Sequence, residues 1–394
     1  MLTARQVGEM TPPMKILALN WRCTRHPQAG GAEMNLFEQA KRWAKDGHEI
    51  TVFCSDPGRE HAPLREERVD GIRVLRRGGR FTVYLYAAMF LLLNYWRFDR
   101  VLDVANGIPF FAPLFSKKPA VLLVHHVHNK QWFAEFPIPL ATVGWFLERR
   151  IVPLVYRRRP VIAVSPTTRD ALVETGIPGP HIHIIYNGIE HIGAPKGDEH
   201  RSEHRIAYVG RIKKYKRLDR LVRMLPELRD SFPDVHLDIA GSGDAELQTR
   251  ALIDELGVQS HVTVHGFVDE QKKAEILGRA AVFATPSMHE GWGLSVIEAN
   301  SHGCPAVAYD VPGLRVAIRH EKTGLLAADD DGFRRALTVF LGDADARRRH
   351  SAEALDWASR FTWEACAAET FEVLRIGSIS RTTRLDNELP DLAA

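Results

Sequence analysis

The chain has 394 residues, of which 45% are hydrophobic and 26% charged, and its 52 basic and 49 acidic side chains give a formal net charge of +3. A single hydrophobic core stops growing at about 250–300 residues, so this length predicts two or three domains. The near balance of charge does not suit a protein that binds nucleic acid through bulk positive charge. The four cysteines have no Cys-x-x-Cys spacing, which argues against a disulfide framework or zinc knuckle and favours a reducing compartment.

The N-terminal half alternates short apolar runs with helical patterns. Strands are predicted at "KILALNW" (15–21), "HEITVFCS" (48–55), "GIRVLRR" (71–77), "RVLDVAN" (100–106), "AVLLVHH" (120–126), "PVIAVSP" (160–166) and "IHIIYNGIE" (182–190). Helices are predicted at "AEMNLFEQAKRWAKDG" (32–47), at 81–96, and at "TTRDALVETG" (167–176), the last capped by either Ser165 or Thr167. Strands that alternate with helices at this spacing predict right-handed crossovers and a parallel sheet.

The alternation stops and then restarts in the C-terminal half. Residues 191–204 are polar, contain Gly and Pro, and predict a linker. Strands follow at "RIAYVG" (205–210), "VHLDIAG" (235–241), "VTVHGF" (262–267), "AVFATPS" (281–287) and "PAVAYD" (305–310), separated by helical patterns. A final amphipathic helix is predicted at 361–377. We therefore expect two doubly wound α/β domains, at 1–190 and 205–361, with a C-terminal helix at about 362–378 and a flexible tail at 379–394.

Three segments bear on export or on membrane association. The first 21 residues lack an apolar run of signal-peptide length, which predicts a cytoplasmic protein. The most apolar stretch, "FTVYLYAAMFLLLNYW" (81–96), is shorter than the roughly 20 residues that span a bilayer. It and "WFLERRIVPLVYRRRP" (145–160) combine apolar residues with arginines, so they either dock peripherally on an anionic membrane or pack on the sheet with solvated arginines.

Glycine and basic residues cluster after several predicted strands. Gly30 and Gly31 lie between the first strand and the first helix, where backbone amides can approach a phosphate, or simply make a tight turn. "AGSGDAE" (240–246) only partly fits the dinucleotide fingerprint, because Glu246 occupies the third glycine position. Arg211 and Lys216 follow the strand of "YVGRIKKYKRLDRL", where they either bind a diphosphate or belong to a solvated loop.

The stretch "TPSMHEGWGLSVIEANSHGCPAVA" places Glu290 on a glycine loop and Glu298 in the helix that follows. The helix is predicted to begin near Leu294, so its N-terminal amides favour an anion. Carboxylates beside an anion site suit hydroxyl groups, because an ionised carboxylate accepts their hydrogen bonds. A phosphate with polyols on both sides is a nucleotide sugar, which this pattern predicts as the ligand.

The sequence resembles the retaining glycosyltransferases of family 4. "EGWGLSVIE" resembles their E-x7-E motif, and "GGAE", "NGI", "GRIKKYKRLD", "IAGSGD", "VHGFV", "GCPAVA" and "GLL" occur in the expected order. The resemblance spans residues 15 to 375 and is densest from 205 to 326. It implies the GT-B fold of two facing Rossmann-like domains, with the C-terminal helix crossing back to the N-terminal domain.

The resemblance also implies a role for each site residue. Glu290 would contact the transferred sugar, Glu298 the ribose, and Arg211 with Lys216 the diphosphate. The expected donor-binding set is completed by Gly30, Gly31, Gly266, Phe267, Val268, Gly291, Trp292, Gly293, Leu294 and Ser295. His125, with His126 as the alternative one residue on, would lie near the transferred sugar, so the expected catalytic set is His125, Arg211, Lys216 and Glu290.

Three stretches contain residue types that bind metal ions. His125, His126 and His128 could ligate a metal, but no cysteine or acidic residue lies near them in sequence, and a structural role is the other alternative. The Asp-x-Asp patterns at 329–331 and 343–345 adjoin helices and are interpreted as caps or solvated turns. We therefore predict no metal and no cofactor, with fixed cations stabilising the leaving group.

The sequence thus predicts a hexosyltransferase that moves a sugar to a hydroxyl acceptor on a lipid-linked glycan, a polysaccharide precursor or a small-molecule aglycone. UDP-sugar is favoured as donor, with GDP-mannose as the alternative. A nucleotide-sugar epimerase of the same fold and a non-catalytic sugar-binding subunit are the rival functions. The expected location is the cytoplasm, or the inner face of the cell membrane if the apolar segments dock there.

Overall fold

The computed structural model describes residues 12–27, 29–129, 131–190 and 201–378. The chain forms two compact units, one of Met1–Tyr186 with Trp363–Ala394 and the other of Asn187–Thr362. Most of the predicted linker and the whole predicted tail at 379–394 lie outside the described residues.

The N-terminal unit is built on a sheet in which eight strands lie among the described residues, in the order β3-β4-β2-β1-β5-β6-β7-β8. The strands are β1 Lys15–Leu19, β2 Glu49–Cys54, β3 Glu66–Val69, β4 Ile72–Arg76, β5 Arg100–Ala105, β6 Ala120–Val124, β7 Val161–Ala163 and β8 Ile182–Ile184. The continuous apolar runs are explained by burial on both faces, since Ile16 to Leu19 are all fully buried. All neighbouring pairs are parallel except β3 and β4.

Strand β3 was missed in the sequence because "EERV" is charged and lies at the sheet edge. It joins β4 through Asp70 and Gly71, both with positive φ, in a two-residue hairpin. An Asp-Gly pair is a strong hairpin signal, so the sequence did contain the information.

Three helices of this unit lie where the sequence patterns predict them, and further helices lie between β6 and β7. They are α1 Gly31–Lys45, α2 Val83–Asn94, α3 Gln131–Glu135, α4 Ile138–Phe146, α5 Val152–Tyr156 and α6 Pro166–Thr175, with a π-helical turn at Leu147–Ile151 and short 3-10 turns at Tyr95–Arg97, Ala112–Leu114 and Gly179–His181. Ser165, rather than Thr167, caps α6, because its hydroxyl accepts a 3.1 Å hydrogen bond from the Thr168 amide.

The C-terminal unit has a parallel sheet of six described strands in the order β11-β10-β9-β12-β13-β14. They are β9 Ser202–Val209, β10 His236–Ala240, β11 Val262–Gly266, β12 Ala280–Thr285, β13 Ala306–Tyr309 and β14 Gly324–Ala327. Strand β9 begins inside the stretch predicted as linker at 191–204. Its first three residues are polar and not fully buried, so they carry no apolar strand signal.

The helices of the C-terminal unit follow the predicted pattern. They are α7 Leu218–Ser231, α8 Glu246–Glu255, α9 Glu270–Arg279, α10 Leu294–Ser301, α11 Pro312–Ala317, α12 Asp330–Gly342 and α13 Ala344–Ser359, with 3-10 turns at Lys214–Lys216 and Gln259–His261. The interpretation of both Asp-x-Asp patterns as caps is confirmed. Asp329 accepts from the Gly332 amide at 2.7 Å at the start of α12, and Asp343 accepts from the Ala346 amide at 2.9 Å at the start of α13.

The last helix, α14 Trp363–Ile376, packs in the N-terminal unit. The Trp43 indole of α1 donates to the Ala367 carbonyl at 2.9 Å, and the Arg100 guanidinium donates to the Leu374 carbonyl at 2.7 Å. Among the described residues, no helix is both long and apolar enough to cross a membrane.

Candidate functional site

The predicted basic loop and the predicted glycine loop meet at one edge of the C-terminal sheet. β9 and β12 are adjacent strands, and the chain leaves β9 for β10 on one side and reaches β12 on the other. Open parallel sheets bind ligands at the carboxyl ends of strands where the order reverses in this way. The loops are joined directly, since the Met288 amide donates to the Tyr215 carbonyl at 3.0 Å.

Lys216 and Glu290 are in contact at this edge. The Lys216 ammonium donates to Glu290 Oε1, and the two side chains are 13% and 15% exposed. The backbone of Glu290 is held in place by α11, because a Cβ on Gly313 would lie 1.9 Å from the Glu290 carbonyl oxygen. The structure therefore brings together one predicted phosphate-binding cation and one predicted sugar-binding carboxylate.

Arg211 lies on the same loop with its guanidinium exposed. It donates weakly to the Tyr215 hydroxyl at 3.4 Å, while the Tyr208 hydroxyl donates to the Arg211 carbonyl at 2.9 Å. Burial raises the pKa of Tyr208 far above its ordinary value, and the negative charge of Glu290 adds to this. Tyr208 therefore stays a neutral donor that fixes the backbone beneath Arg211.

Glu298 forms a second pair, with Lys273 of α9. The Lys273 ammonium donates to Glu298 Oε1 at 2.7 Å and also contacts Glu270 at 2.7 Å. Burial raises the pKa of Glu298, although Lys273 opposes the shift. Burial alone would lower the pKa of Lys273, but the two carboxylates outweigh it and raise the pKa.

Lys273 was not found from the sequence. The local sequence already accounts for Lys273, because Glu270 lies three residues before it on α9 and pairs with it at 2.7 Å. Its second partner, Glu298, is 25 residues away in the sequence, so no local pattern identifies it.

The N-terminus of α10 lies between the two glutamates in sequence. Gly293, at φ +91°, is the N-cap and provides no side-chain cap, so helix amides at Leu294 and Ser295 are not satisfied by a capping side chain. A Cβ on Gly293 would also meet Ala317 and Leu314 at 3.1 Å. Gly291 is half-buried, whereas the Trp292 ring is buried and packs edge-on against Phe361 with centroids 5.1 Å apart. The Trp292 side chain thus anchors the loop from beneath.

The other predicted donor-binding segment of this unit, Gly266 to Val268, follows edge strand β11. Strand β10 separates it from β9, a distance of about 10 Å across the sheet. Gly266 has φ +69° and its carbonyl accepts from the Gly241 amide at 2.7 Å. Phe267 is 87% exposed and Val268 half-buried, so the Phe267 ring is available for a flat ligand.

The glycines of "AGSGD" have a packing role. A Cβ on Gly241 would lie 1.9 Å from the Gly210 carbonyl oxygen, and a Cβ on Gly243 would lie 2.2 Å from that of Ile212. The loop after β10 therefore packs directly on the loop that carries Arg211. This packing accounts for the two glycines without a dinucleotide.

In the N-terminal unit, Gly30 and Gly31 open α1. Gly30 is the extended N-cap, and its amide donates to the Glu33 carboxylate at 2.8 Å. Glu33 is buried and sits in the first turn, where a carboxylate is favoured by the helix dipole. The Gly30 amide is thus engaged by the chain's own glutamate.

The histidines follow β6 at its carboxyl end. His125 is buried, and burial lowers its pKa to about 4, so its imidazole is neutral at pH 7. Its Nε2 atom has no hydrogen-bond partner within the described part of the chain. His126 and His128 instead pair with each other, with their Nε2 atoms 3.2 Å apart.

An acidic residue does lie beside these histidines, contrary to the expectation from the local sequence. Glu148, in the π-helical turn, accepts from the His128 and Asn129 amides at 2.8 Å and from the Trp132 indole at 3.1 Å. It reaches them because the chain folds back 16 to 20 residues later. Over the described ranges, no group of three or more His, Cys, Asp or Glu side chains is arranged to hold a metal.

Comparison with known proteins supports the resemblance inferred from the motifs. The family model "Glycosyl transferases group 1" matches residues 195–357, and "Glycosyltransferase Family 4" matches residues 29–192. A D-inositol 3-phosphate glycosyltransferase of Jonesia denitrificans is 34% identical over 46% of this chain, and the match spans only 43% of that protein's length. A glycogen synthase of Mycobacterium tuberculosis is 31% identical over 91% of this chain and 94% of its own length.

A solved structure shares the fold along most of the chain. Anabaena HepE, in complex with UDP and glucose, superimposes with a TM-score of 0.73 at 18% identity, over 92% of this chain and 99% of HepE. The predicted GT-B class of α/β fold is thereby confirmed. With both halves matched by family models and a relative aligned over nearly its whole length, the chain belongs to the group 1, family 4 glycosyltransferases.

Proposed function

We propose that this chain is a retaining glycosyltransferase that moves a sugar from a UDP-sugar to a hydroxyl acceptor without a metal ion. The observation that carries the proposal is the contact between Lys216 and Glu290 at the carboxyl edge of β9 and β12. In this contact, a cation that can neutralise the leaving group lies next to a carboxylate that can accept hydrogen bonds from sugar hydroxyls. A nucleotide sugar has both partners close together, since the diphosphate and the sugar lie on the two sides of the bond that breaks.

We assign each side chain a role that its chemistry allows. The Arg211 guanidinium and the Lys216 ammonium neutralise the diphosphate, assisted by the amides at the start of α10. Glu290 accepts hydrogen bonds from the transferred sugar, and Glu298, held by Lys273, accepts them from the ribose. The segment Gly266 to Val268 holds the base.

The reaction needs no enzymic nucleophile. The acceptor oxygen forms a bond to the anomeric carbon on the face from which the diphosphate leaves, and the bond from that carbon to the diphosphate oxygen breaks. The acceptor proton passes to the departing diphosphate. The protein contributes by positioning the reactants and by stabilising the charge that develops on the leaving group. His125 and the glycines Gly30 and Gly31 of the N-terminal unit stay predictions from the sequence, and the neutral His125 imidazole can donate or accept a hydrogen bond.

The donor and acceptor classes rest on the relatives. HepE was crystallised with UDP and glucose, which favours UDP here over GDP. The named relatives act on an inositol phosphate or make glycogen, so alcohol groups of sugars or polyols are the proposed acceptors. We place the reaction in the cytoplasm at the inner face of the membrane, with an acceptor drawn from cell-envelope or glycoconjugate precursors.

The test is donor binding followed by turnover. UDP and UDP-glucose should raise the melting temperature more than GDP and GDP-mannose at equal concentration, because a ligand stabilises the state that it binds. Lys216→Ala should abolish that shift, whereas Lys214→Ala should keep it. Lys214 lies on the same turn but is exposed and has no ion pair within the described ranges.

Product analysis separates the rival functions. UDP and a glycosylated acceptor support the proposal, whereas conversion of one UDP-sugar into another without acceptor supports an epimerase. Binding of UDP-sugar with neither transfer nor hydrolysis, across a panel of polyol acceptors, would overturn the catalytic proposal in favour of a sugar-binding subunit.

A further inference from the structure

Helix α2 of the N-terminal unit is apolar on every side. Val83, Ala87 and Leu91 face the core and are fully buried. The other faces are also apolar but exposed, at Leu85, Tyr86, Met89, Leu92 and Leu93, and the exposed Phe81 and Trp96 flank the helix at its two ends. An all-apolar helix is normally covered on every side, so exposure of this one marks an interaction surface.

A second apolar surface follows from α4 to α5. The chain is continuously helical from Ile138 to Tyr156, through the π-helical turn. Its exposed large apolar side chains are Ile138, Leu140, Val143, Phe146 and Leu154. The opposite side packs on the sheet through Val152 and Tyr156.

The two surfaces lie on the same face of the N-terminal sheet. The core of α2 includes Val101 and Ala120, and the core of α5 includes Leu122. Val101 pairs with Ala120 on the neighbouring strand, and Leu122 is two residues beyond Ala120, so all three side chains point to one face. The surfaces are also adjacent, because the Arg80 guanidinium before α2 lies 5.3 Å from the Phe136 ring centre just before α4.

The exposed charge within the two apolar segments has one sign. Residues 77–98 contain no Asp or Glu, and residues 136–159 contain one, Glu148, which is buried beneath the His128 loop. The exposed charges are arginines, namely Arg80, Arg97, Arg150, Arg157 and Arg158. Exposed aromatic and aliphatic side chains on segments that also carry exposed arginines suit binding to a bilayer that contains anionic lipid.

We propose that this chain docks on anionic membranes through the apolar face formed by α2 and α4–α5. Helix α2 has 12 residues and is about 18 Å long, too short to span the hydrocarbon layer, so it lies in the plane of the interface. A second copy is a poor occupant, because a symmetric dimer through this face would bring arginines against arginines. The inference deepens the proposed function by naming an anionic lipid surface as partner at the inner face of the membrane.

The experiment is sedimentation of the full chain with phosphatidylcholine vesicles that contain about one third phosphatidylglycerol. Binding should weaken at least about tenfold on pure phosphatidylcholine and at high salt, because arginines near the surface contribute strongly and are screened. The double variant Leu85→Glu/Leu93→Glu changes side chains that are 73% and 60% exposed, and it should lose binding by at least about tenfold. Trp96 fluorescence, taken as the difference from Trp96→Phe, should shift to the blue with anionic vesicles.

The matched control is Leu64→Glu/Leu247→Glu. These leucines are 57% and 81% exposed outside the face, and both double variants lower the formal net charge of +3 by two. The control should therefore keep vesicle binding. Equal loss in both double variants would show a bulk-charge effect and overturn the assignment of the face.

Further outcomes decide whether this face binds lipid, and one of them needs only the wild-type protein. Wild-type protein that binds no vesicle at low salt overturns the proposal directly. If light scattering then shows a dimer that Leu85→Glu/Leu93→Glu dissociates, the face binds a second copy; a monomer leaves it to a protein partner. Donor binding is measured by melting temperature without lipid, so loss of vesicle binding leaves the transferase proposal standing, and loss of donor binding leaves the lipid-binding face standing.

Discussion

Replacing Glu290 or Lys216 by alanine should lower the free energy of unfolding, because each charge is compensated by the other. Removing one partner of a fully buried pair costs about 3–5 kcal/mol, whereas exposed pairs contribute about 0–1 kcal/mol. Their side chains are 13% and 15% exposed, which lies between those limits. We expect each single variant to lose about 1–3 kcal/mol.

The double variant separates this pairing from other effects. With both charges gone, neither is left unpaired, so the double variant should lose less than the sum of the single variants, with a coupling of about 1–2 kcal/mol. Urea unfolding of the four proteins measures the coupling. Lys214→Ala is the matched control and should change stability by less than about 0.5 kcal/mol, since the residue is an exposed surface site.

The same four proteins carry the functional half of the prediction. Glu290→Ala loses hydrogen bonds made in the transition state, which should raise the activation free energy by about 2–4 kcal/mol. This lowers kcat/KM by roughly 30- to 900-fold. Two results would refute the reasoning: stability changes that add within about 0.5 kcal/mol in the double variant, or near-normal turnover of Glu290→Ala.

Three further predictions concern His125, Glu148 and the effect of a chelator. The pKa of His125 is about 4 in the folded chain and about 6.5 in the unfolded chain. Its contribution to the free energy of unfolding should therefore be complete above pH 6.5 and should fall by up to roughly 3 kcal/mol as the pH drops towards 4. Urea unfolding of His125→Asn should lack this pH-dependent loss. Glu148→Gln should lose about 1.5–3 kcal/mol, because a buried acceptor of three N–H donors gains an amide that opposes them, while exposed Glu174→Gln should be neutral in the same unfolding assay. Dialysis against EDTA should leave turnover unchanged if fixed cations stabilise the leaving group, and complete loss restored by a divalent ion would contradict this.

The strands of both sheets could be predicted from the sequence because their residues are buried on two faces, which produces continuous apolar runs such as Ile16 to Leu19. The errors fall where strands are not buried in this way. Strand β3 is a charged edge strand, and β9 begins with three polar residues that are not fully buried. An apolar pattern in the sequence cannot identify a strand whose side chains are polar and not buried.

The residues of the candidate sites also divide into those that the local sequence predicts and those that it does not. Glu290 on a loop and Glu298 on the following helix were predictable, because glycines and helix periodicity are local signals. Their lysine partners are separated from them by 74 and 25 residues, and the pairs exist only once the strands are ordered. Glu148 beside the histidines was missed for the same reason, since it is brought back by a helical return and not by sequence proximity.

The distribution of charge at this edge bears on how a donor would first be attracted. Each glutamate neutralises a lysine, whereas Arg211 makes no carboxylate contact among the described residues and adds its charge to the partial charge of the α10 N-terminus. Under the proposed function, Arg211 therefore supplies the longer-range attraction for a diphosphate, and Lys216 acts at short range. Glu290 holds the Lys216 ammonium in position beforehand, so that little reorganisation is needed when charge develops on the leaving group. A carboxylate beside a phosphate-binding lysine thus favours the transition state, although it reduces the net attraction for the donor in the ground state.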